Sequence, residues 1–395
     1  MQDTPHKILI QHLQPRSFLS FGPDFSGVEL RNLNVLIGAN GSGKSNFIEA
    51  ISLMRGAPKE WREVTRKGGG VAEWLWKGKK NVRAQVEAVI RNPKGNQPLR
   101  HAMAFHGVSQ AFALDDERVE NERADSGQPR PYFYYRYQNG DPVLNTVGKG
   151  QRKLARDTIE SDRSILAQRR DPETYPELAW LAQSYEGIRI YREWAFGRGA
   201  VFREPQRADM RNDVLEEDFS NLGLFLNRIK TRFPAAKKAI LNGLKDLYDG
   251  IHDFDVFVEG GTVQVFFTEG DFSIPATRLS DGTLRYLCLL AILCDPEPPM
   301  LVCIEEPELG LHPDILPGVA DLLRVASERT QLIVTTHSDI LVDAMTETPE
   351  CVVVCEKHEG KTEMARLSAP DLSVWLEKYR LGQLWIEGQI GGKRW

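Results

Sequence analysis

Short apolar runs of strand length alternate along the chain with segments whose apolar residues recur at helical spacing. Residues 33–37 form an apolar run typical of a strand, and residues 46–54 follow with apolar side chains at helical spacing. Strand-like apolar runs return at 300–304 and 331–335, and a strongly apolar helix is predicted at 286–293. Strands and helices therefore alternate, which predicts an α/β protein.

The first part of the chain is predicted to form a lobe rich in strands. Residues 7–37 contain two or three strands separated by turn residues, and further strands are predicted at 82–90, 101–105 and 110–114. The pattern changes at about residue 115, where a charged run begins. We therefore place the first lobe at residues 1–115.

Residues 116–254 are predicted to be a mostly helical insertion. Helical spacing is found at 177–194, 219–231 and 235–248, after a cluster of aromatic residues at 132–137. No heptad repeat is sustained through the insertion, so a long coiled coil is not expected.

Strands return in a second predicted lobe, residues 255–367. Runs at 255–258 and 262–268 flank a pair of glycines and predict a hairpin. The remaining tail, residues 368–395, holds tryptophans that an unpacked terminus rarely keeps. The tail either docks on its own core or offers an edge to a partner, and the sequence leaves both readings open.

The composition is that of an ordinary globular protein. The 395 residues are 41% hydrophobic and carry a formal net charge of −5, so any contact with DNA must come from a local patch. The five cysteines show no spacing that indicates a disulfide framework or a zinc site. The longest apolar segment, 287–293, is too short to cross a bilayer, so we expect no membrane span and a cytoplasmic protein.

A phosphate-binding loop of the form GxxxxGK[ST] directly follows the run at 33–37. Its glycines let backbone N–H groups turn towards a polyphosphate, Lys44 reaches the β- and γ-phosphates, and Ser45 offers its hydroxyl to Mg²⁺. A helix that starts at once also directs its dipole at the phosphates. The candidate nucleotide-binding residues are Gly38, Asn40, Gly41, Ser42, Gly43, Lys44, Ser45 and Asn46.

Two adjacent carboxylates end the apolar run at 300–304. Adjacent residues at a strand end can point in different directions, so the two acids can take separate roles. Glu305 is placed to hold Mg²⁺ together with Ser45, and Glu306 is placed to polarise the water that attacks the γ-phosphate.

Two weaker signals lie in the second lobe. Ser280 and Gly282 precede the apolar helix at 286–293, where they form either an N-cap or an anion site built from the hydroxyl and free N–H groups. His337 follows the run at 331–335 and either hydrogen-bonds the γ-phosphate or is structural.

Taken in this order, the motifs resemble the ATP-binding cassette (ABC) family, specifically its SMC/RecF-like branch. GANGSGKSN matches the Walker A motif, LSDGT the signature, LVCIEEPE the Walker B motif, and the segment around His337 the switch histidine. The following ELGLHP is similar to the extension typical of the ATPase halves of overcoming-lysogenization-defect nucleases and their stand-alone relatives. The resemblance implies a P-loop NTPase with an ABC ATPase head of two lobes.

The same resemblance implies ATP and Mg²⁺ as cofactors, with Glu306 and His337 as catalytic residues. It also implies a homodimer, or a higher oligomer, in which two ATP molecules are sandwiched between the Walker A loop of one subunit and Ser280 and Gly282 of the other. Three features depart from the family pattern. Glu305 stands where Asp is common, the signature lacks its usual second glycine, and no Q-loop glutamine is assigned, Gln85 being only a candidate.

The resemblance further predicts an ATP-hydrolysing motor or sensor of a DNA-directed system, such as anti-phage defence, with a separate effector protein such as a nuclease. The basic and aromatic stretch at 189–211 is read either as a DNA contact or as an ion-paired surface. The alternatives are a RecF-like repair ATPase, a module that binds ATP without turnover, and the nucleotide-binding subunit of a transporter. Lys44 and Ser280 lie too far apart in the chain for a compact transporter cassette.

Overall fold

Strands and helices alternate through the computed structural model of the protein. It describes residues 8–79, 82–108, 111–138, 141–146, 150–154, 159–160, 162–197, 199–248 and 250–392. The end of the predicted tail, residues 393–395, lies outside this described part of the chain.

The described strands and helices have the following bounds. The strands are β1 (Ile10–Arg16), β2 (Val28–Glu29), β3 (Leu33–Ile37), β4 (Ala84–Ile90), β5 (Leu99–Val108), β6 (Ala111–Asn121), β7 (Phe133–Gln138), β8 (Asp141–Thr146), β9 (Gly150–Lys153), β10 (Arg189–Tyr191), β11 (Gln206–Arg207), β12 (Ile251–Glu259), β13 (Thr262–Glu269), β14 (Phe272–Pro275), β15 (Leu301–Glu305), β16 (Gln331–Thr335), β17 (Val352–His358) and β18 (Lys361–Arg366). The helices are α1 (Lys44–Gly56), α2 (Trp61–Lys67), α3 (Val71–Trp74), α4 (Ile165–Gln168), α5 (Pro176–Glu186), α6 (Leu222–Arg232), α7 (Pro234–Leu247), α8 (Asp281–Leu293), α9 (Leu316–Ser327), α10 (Asp339–Asp343), α11 (Ala369–Leu376) and α12 (Leu381–Ile386).

A mainly parallel sheet with the order β10-β15-β16-β3-β17-β18 forms the centre of the molecule. Only β18 runs antiparallel to its neighbour. The strands β3, β15 and β16 end at the same edge, because Glu305 pairs with Thr335 and Thr335 pairs with Leu36. The phosphate loop, the paired acids and the residues after β16 therefore start from one edge of this sheet.

Alternate residues of the central strands enter two separate hydrophobic cores. Val302 and Ile304 of β15 belong to one core, whereas Leu301 and Cys303 belong to the other. The strands are therefore buried on both faces, which explains why they read as continuous apolar runs. Within the described residues, no helix has the length and apolar character needed to cross a membrane.

A second, antiparallel sheet corrects the expectation of a mostly helical insertion. Its order is β2-β1-β4-β5-β6-β7-β8-β9, so the strands continue well past residue 115. The charged run at the boundary lies in β6, where Arg100 of β5 pairs with Glu120 at 2.6 Å across the sheet. The aromatic cluster forms β7 and buries Tyr135. Cross-strand pairing, which the sequence pattern does not reveal, places part of this charged run on one face of a sheet.

The helical part of the insertion begins only with α4. The helices expected at 219–231 and 235–248 are observed as α6 and α7. The helix expected at 177–194 is shorter, because α5 ends at Glu186 and the chain re-enters the parallel sheet as β10. The predicted hairpin is present as β12 and β13. The predicted boundaries at 115/116 and 254/255 fall inside β6 and β12.

The second helix of the tail, α12, docks on its own molecule. Trp385 of α12 is 1% exposed, and its indole N–H donates a hydrogen bond of 2.6 Å to the carbonyl oxygen of Gly392. The Gly392 N–H in turn donates to the Glu356 carboxylate at 2.8 Å. Docking on the core is therefore observed for α12, whereas α11 has no buried residue and exposes Val374 and Trp375. An edge offered to a partner stays a prediction for that part of the tail.

Candidate functional site

The phosphate loop joins β3 to α1 through backbone conformations that only glycine adopts readily. Gly38 and Gly43 have φ angles of 145° and 108°. A Cβ atom at Gly38 would lie 2.1 Å from the carbonyl oxygen of Cys355, and one at Gly43 would lie 2.2 Å from the Thr362 hydroxyl. Both glycines are therefore required by backbone conformation and by available space.

Lys44 is the first residue of α1 and points back over the loop. Its Nζ donates hydrogen bonds to the carbonyl oxygens of Gly38 at 2.7 Å and Ala39 at 3.0 Å. Burial lowers the pKa of Lys44, although nearby carboxylates, including Glu306, Glu308 and Glu305, act in the opposite direction. The ammonium group thus lies in the concave side of the loop, where it can reach an anion.

Glu305 at the end of β15 contacts the first turn of α1. The Ser45 hydroxyl donates to Glu305 Oε2 at 2.8 Å. These two oxygen donors fit Mg²⁺, which takes few protein ligands and completes its shell with water and phosphate oxygens. No cluster of three or more His, Cys, Asp or Glu side chains suited to a metal is found among the described residues.

Glu306 turns away from Glu305. Its φ of 50° is unusual for a residue with a side chain, and its N–H donates to the Thr335 carbonyl oxygen at 3.0 Å. As a result its carboxylate lies 3.4 Å from His337 Nε2. Such a strained conformation costs about 1–3 kcal/mol and is typical of functional sites.

Glu308 is a site residue to which sequence reasoning assigned no separate role. Its Oε1 accepts hydrogen bonds of 2.7 Å from the Thr336 hydroxyl and from the His337 N–H, while Oε2 is buried without a hydrogen bond. Burial raises the pKa of Glu308. The carboxyl group therefore fixes the backbone that carries His337. The sequence signal that could have indicated this role is the presence of a third acid, Glu308, two positions after Glu306.

Ser280 is the N-cap of α8. Its Oγ accepts a hydrogen bond of 3.1 Å from the Thr283 N–H. None of the hydrogen bonds found among the described residues joins Ser280 to the phosphate loop. A Cβ atom at Gly282 would lie 3.2 Å from the carbonyl oxygen of Gly310, so this segment borders the extension that follows Glu308. The N-cap reading is observed, and the role as an anion site stays a prediction.

The stretch 189–211 is largely ion-paired. Arg192 pairs with Glu49 and with Glu305 Oε1, the latter at 3.2 Å from its Nε. Arg203 pairs with Asp281 and donates to two carbonyl oxygens just before α8. Further pairs are Arg207 with Asp209, and Arg211 with Asp213 and Glu216. These contacts correspond to the ion-paired alternative for this stretch.

The insertion also supplies the neighbours of Glu305 that the sequence did not indicate. The Trp194 indole N–H donates to the Glu305 carbonyl oxygen at 2.6 Å. Gln85, the candidate Q-loop residue, lies instead in β4, where it pairs with Arg16 and Ala104 of the antiparallel sheet. Arg192, which directly follows the edge strand β10, lies beside Glu305.

The sequence comparison gives one family match. A model of the family described as "AAA domain, putative AbiEii toxin, Type IV TA system" matches residues 33–343. This span runs from β3 to α10 and contains all the site residues described above. No curated protein matches the chain.

The fold is similar to solved heads of Smc proteins. An Smc head bound to the C-winged helix domain of ScpA has a TM-score of 0.58 and 16% identity, covering 92% of this chain and 99% of that chain. The Pyrococcus furiosus Smc head with an extended coiled coil, bound to the C-terminal domain of ScpA, has a TM-score of 0.56 and 14% identity, covering 94% and 99%. The expected head fold is confirmed. The longest helix among the described residues, α7, has 14 residues, so no long coiled coil is present in this part.

Proposed function

The chain belongs to this AAA-domain family, and from that premise we propose that it binds Mg-ATP and hydrolyses it to ADP and phosphate. It is a P-loop ATPase domain with an Smc-head-like fold. The supporting observation is the register of the parallel sheet, which brings the ends of β3, β15 and β16 to one edge. This shared edge supports a single site that contains Lys44, Glu306 and His337.

The residues divide the chemistry as follows. Loop N–H groups and Lys44 bind the phosphates, and Ser45 and Glu305 hold Mg²⁺, which would neutralise phosphate charge. The Glu306 carboxylate orients a water molecule and accepts its proton as the oxygen attacks the γ-phosphorus and the bond to the β-phosphate oxygen breaks. His337 lies beside Glu306 and donates a hydrogen bond to the transferred phosphoryl group.

The hydrolytic assignment is tested by Glu306→Gln. The amide keeps the size of the side chain but cannot accept a proton, so phosphate release should fall by about a hundredfold or more while ATP binding is retained. Phosphate release and calorimetric ATP binding are the measurements. Glu363→Gln changes an exposed acid on β18 and is the matched control. Phosphate release by Glu306→Gln at the wild-type rate would contradict the assignment.

Binding through the phosphate loop is tested by Lys44→Ala. Without the ammonium group the loop loses its charge contact with the β- and γ-phosphates, so ATP affinity should fall by at least about tenfold. Normal affinity in this variant would refute the assigned loop.

The signature segment is proposed to act on a second subunit. Ser280 is exposed at the N-terminus of α8 and its hydrogen bonds stay within its own helix turn, so the nucleotide of a partner can reach this side chain. Two copies would then enclose two ATP molecules, each held by Lys44 of one subunit and Ser280 of the other. A homodimer is the simplest such assembly, and a higher oligomer would repeat it.

The process served by the ATPase is proposed from the family. A DNA-directed system such as anti-phage defence, with a separate effector such as a nuclease, agrees with the resemblance to SMC/RecF-like proteins and with the toxin–antitoxin description of the family. Purification of the tagged chain from its native cells, followed by identification of bound proteins and nucleic acid, is the test. Recovery in a membrane complex with transporter subunits would contradict this proposal.

A further inference from the structure

Arg192 lies beside the carboxylate that is proposed to hold Mg²⁺. It directly follows β10, whose last residue, Tyr191, pairs with Ile304 of β15. The parallel register therefore places Arg192 next to Glu305. From there the guanidinium group also reaches Glu49 on α1, so it bridges two carboxylates that belong to different elements.

Both oxygens of the Glu305 carboxylate are engaged. Oε2 accepts the hydrogen bond from Ser45, and Oε1 lies 3.2 Å from Arg192 Nε. Arg192 donates a hydrogen bond to Glu49 Oε1, whereas its contact with Glu305 is an ion pair longer than the 2.7–2.9 Å usual for charge-assisted hydrogen bonds. Glu305 is thus the weaker of the two partners of Arg192.

The guanidinium group of Arg192 is charged, and one of its hydrogen-bond donors is unused. Burial alone would lower the pKa of Arg192. The carboxylates of Glu49 and Glu305 outweigh that effect, and the net shift of its pKa is upward. Its Nη2 is buried and makes no hydrogen bond. Arg192 therefore has the donors for a second arrangement in which Glu49 remains its partner and Glu305 is released.

We propose that Arg192 is a built-in cation that competes with Mg²⁺ for Glu305, with Glu49 as the acceptor that retains it after release. This inference rests on the proposed Mg-ATP function. Arg192 acts as a positioning residue through Glu305, and it sets how much the metal adds to nucleotide affinity. A divalent ion gains the carboxylate only by displacing the guanidinium from Oε1.

The backbone around Glu305 is held so that only its side chain need turn. The Trp194 indole fixes the Glu305 carbonyl oxygen, and the Trp194 carbonyl oxygen accepts a hydrogen bond of 3.0 Å from Arg285 Nη2 on α8. Arg285 also lies over the Phe196 ring at 4.8 Å from its centroid. The exchange at Glu305 is therefore a side-chain event on a fixed strand end.

The test measures the contribution of the metal to ATP binding. In the Glu306→Gln background, ATP affinity is determined by calorimetry with excess Mg²⁺ and with EDTA. The dissociation constant with EDTA is divided by the one with Mg²⁺, and this ratio, which grows with the contribution of the metal, is compared between variants. Arg192→Gln should raise this ratio by about fivefold, since the competitor is removed from a partly exposed pair. The matched control is Arg55→Gln, which removes an arginine on α1 whose partner is Glu217.

A double-mutant cycle separates competition from general charge effects. Glu49→Gln should lower the ratio while Arg192 is present and should leave it unchanged in the Arg192→Gln background. Equal increases of the ratio in Arg192→Gln and Arg55→Gln, or no change of the ratio in Arg192→Gln, would overturn the inference.

If the parent variant, Glu306→Gln, binds no ATP, the proposed function fails as well. If Arg192→Gln does not fold, Arg192→Lys replaces it, because lysine cannot bridge both carboxylates and should raise the ratio in the same direction.

Discussion

At the scale of single residues, the site depends on backbone positions that tolerate no ordinary substitution. Gly43 needs a φ of 108° and leaves no room for a Cβ atom beside Thr362. Glu306 has a φ of 50°, its N–H pairs with Thr335 and its side chain lies beside His337. These constraints come from neighbours that are distant in sequence.

Gly43→Ala should therefore distort the phosphate loop. The added methyl group would lie 2.2 Å from the Thr362 hydroxyl in a left-handed conformation, so we expect ATP affinity to fall by at least about tenfold. Gly41→Ala is the control, because a Cβ atom at Gly41 meets nothing within 4 Å although its φ is also positive. Calorimetric ATP binding distinguishes steric conflict, which affects only Gly43, from conformational strain, which affects both.

Glu308 should make stability depend on pH. Its folded-state pKa is raised by burial, so the neutral carboxyl stabilises the fold below its unfolded pKa, and this contribution is lost as pH rises through the folded value. Glu308→Gln mimics the neutral form and should remove that dependence. Thermal unfolding of both proteins at a series of pH values is the measurement. The prediction would be contradicted if the wild-type protein became more stable relative to Glu308→Gln as pH rises.

At the scale of elements, a buried polar cluster joins the antiparallel sheet to the helices of the insertion. Glu117 of β6 accepts hydrogen bonds from Ser164 and from the Ile165 N–H at the start of α4. Its Oε1 also lies 3.2 Å from His101 Nε2, and His101 Nδ1 lies 3.0 Å from the Tyr185 hydroxyl on α5. Glu117 is 0% exposed, so the cluster orients α4 and α5 against the sheet from inside the core.

Glu117→Ala should destabilise the protein by about 3 kcal/mol, because it leaves buried donors of the cluster without an acceptor. Denaturant unfolding measures the change. Glu173→Ala alters an exposed acid just before α5 and should change the free energy of unfolding by less than about 0.5 kcal/mol. A loss of stability equal in both variants would contradict the importance of the buried cluster.

At the scale of the whole molecule, the proposed sandwich predicts complementation between inactive variants. Lys44→Ala lacks the phosphate contact, and Ser280→Arg lacks the donor given to the partner while it retains its own Lys44. Each alone should be inactive, and Ser280→Arg should still bind ATP. In a mixed dimer, one site combines the intact Lys44 of one subunit with the intact Ser280 of the other.

A mixture of equal amounts should recover up to about a quarter of wild-type phosphate release, since half of the dimers are mixed and each has one complete site. Lys44→Ala mixed with Glu306→Gln is the control. Hydrolysis needs Lys44 and Glu306 from the same subunit, and neither subunit of this mixture has both residues intact. The control mixture should therefore stay inactive. A first mixture as inactive as its components would contradict the sandwich.

Local pattern and motif determined a large part of this protein. The apolar runs predicted β3, β15 and β16, and helical spacing predicted α1 and α8, because strands buried on both faces and helices have distinct periods. The phosphate loop and the acid pair were recognisable because the loop chemistry depends on residue types at fixed spacing.

Only the tertiary structure decided which distant residues meet. Arg192, Trp194 and Glu308 join the site through sheet register and buried contacts, and nothing in their local sequence specifies a partner far along the chain. Likewise, the charged run of β6 became a strand because its charges find partners on a neighbouring strand. Periodicity records which face of an element is buried, whereas long-range pairing depends on how whole elements pack, and that information is distributed over the entire chain.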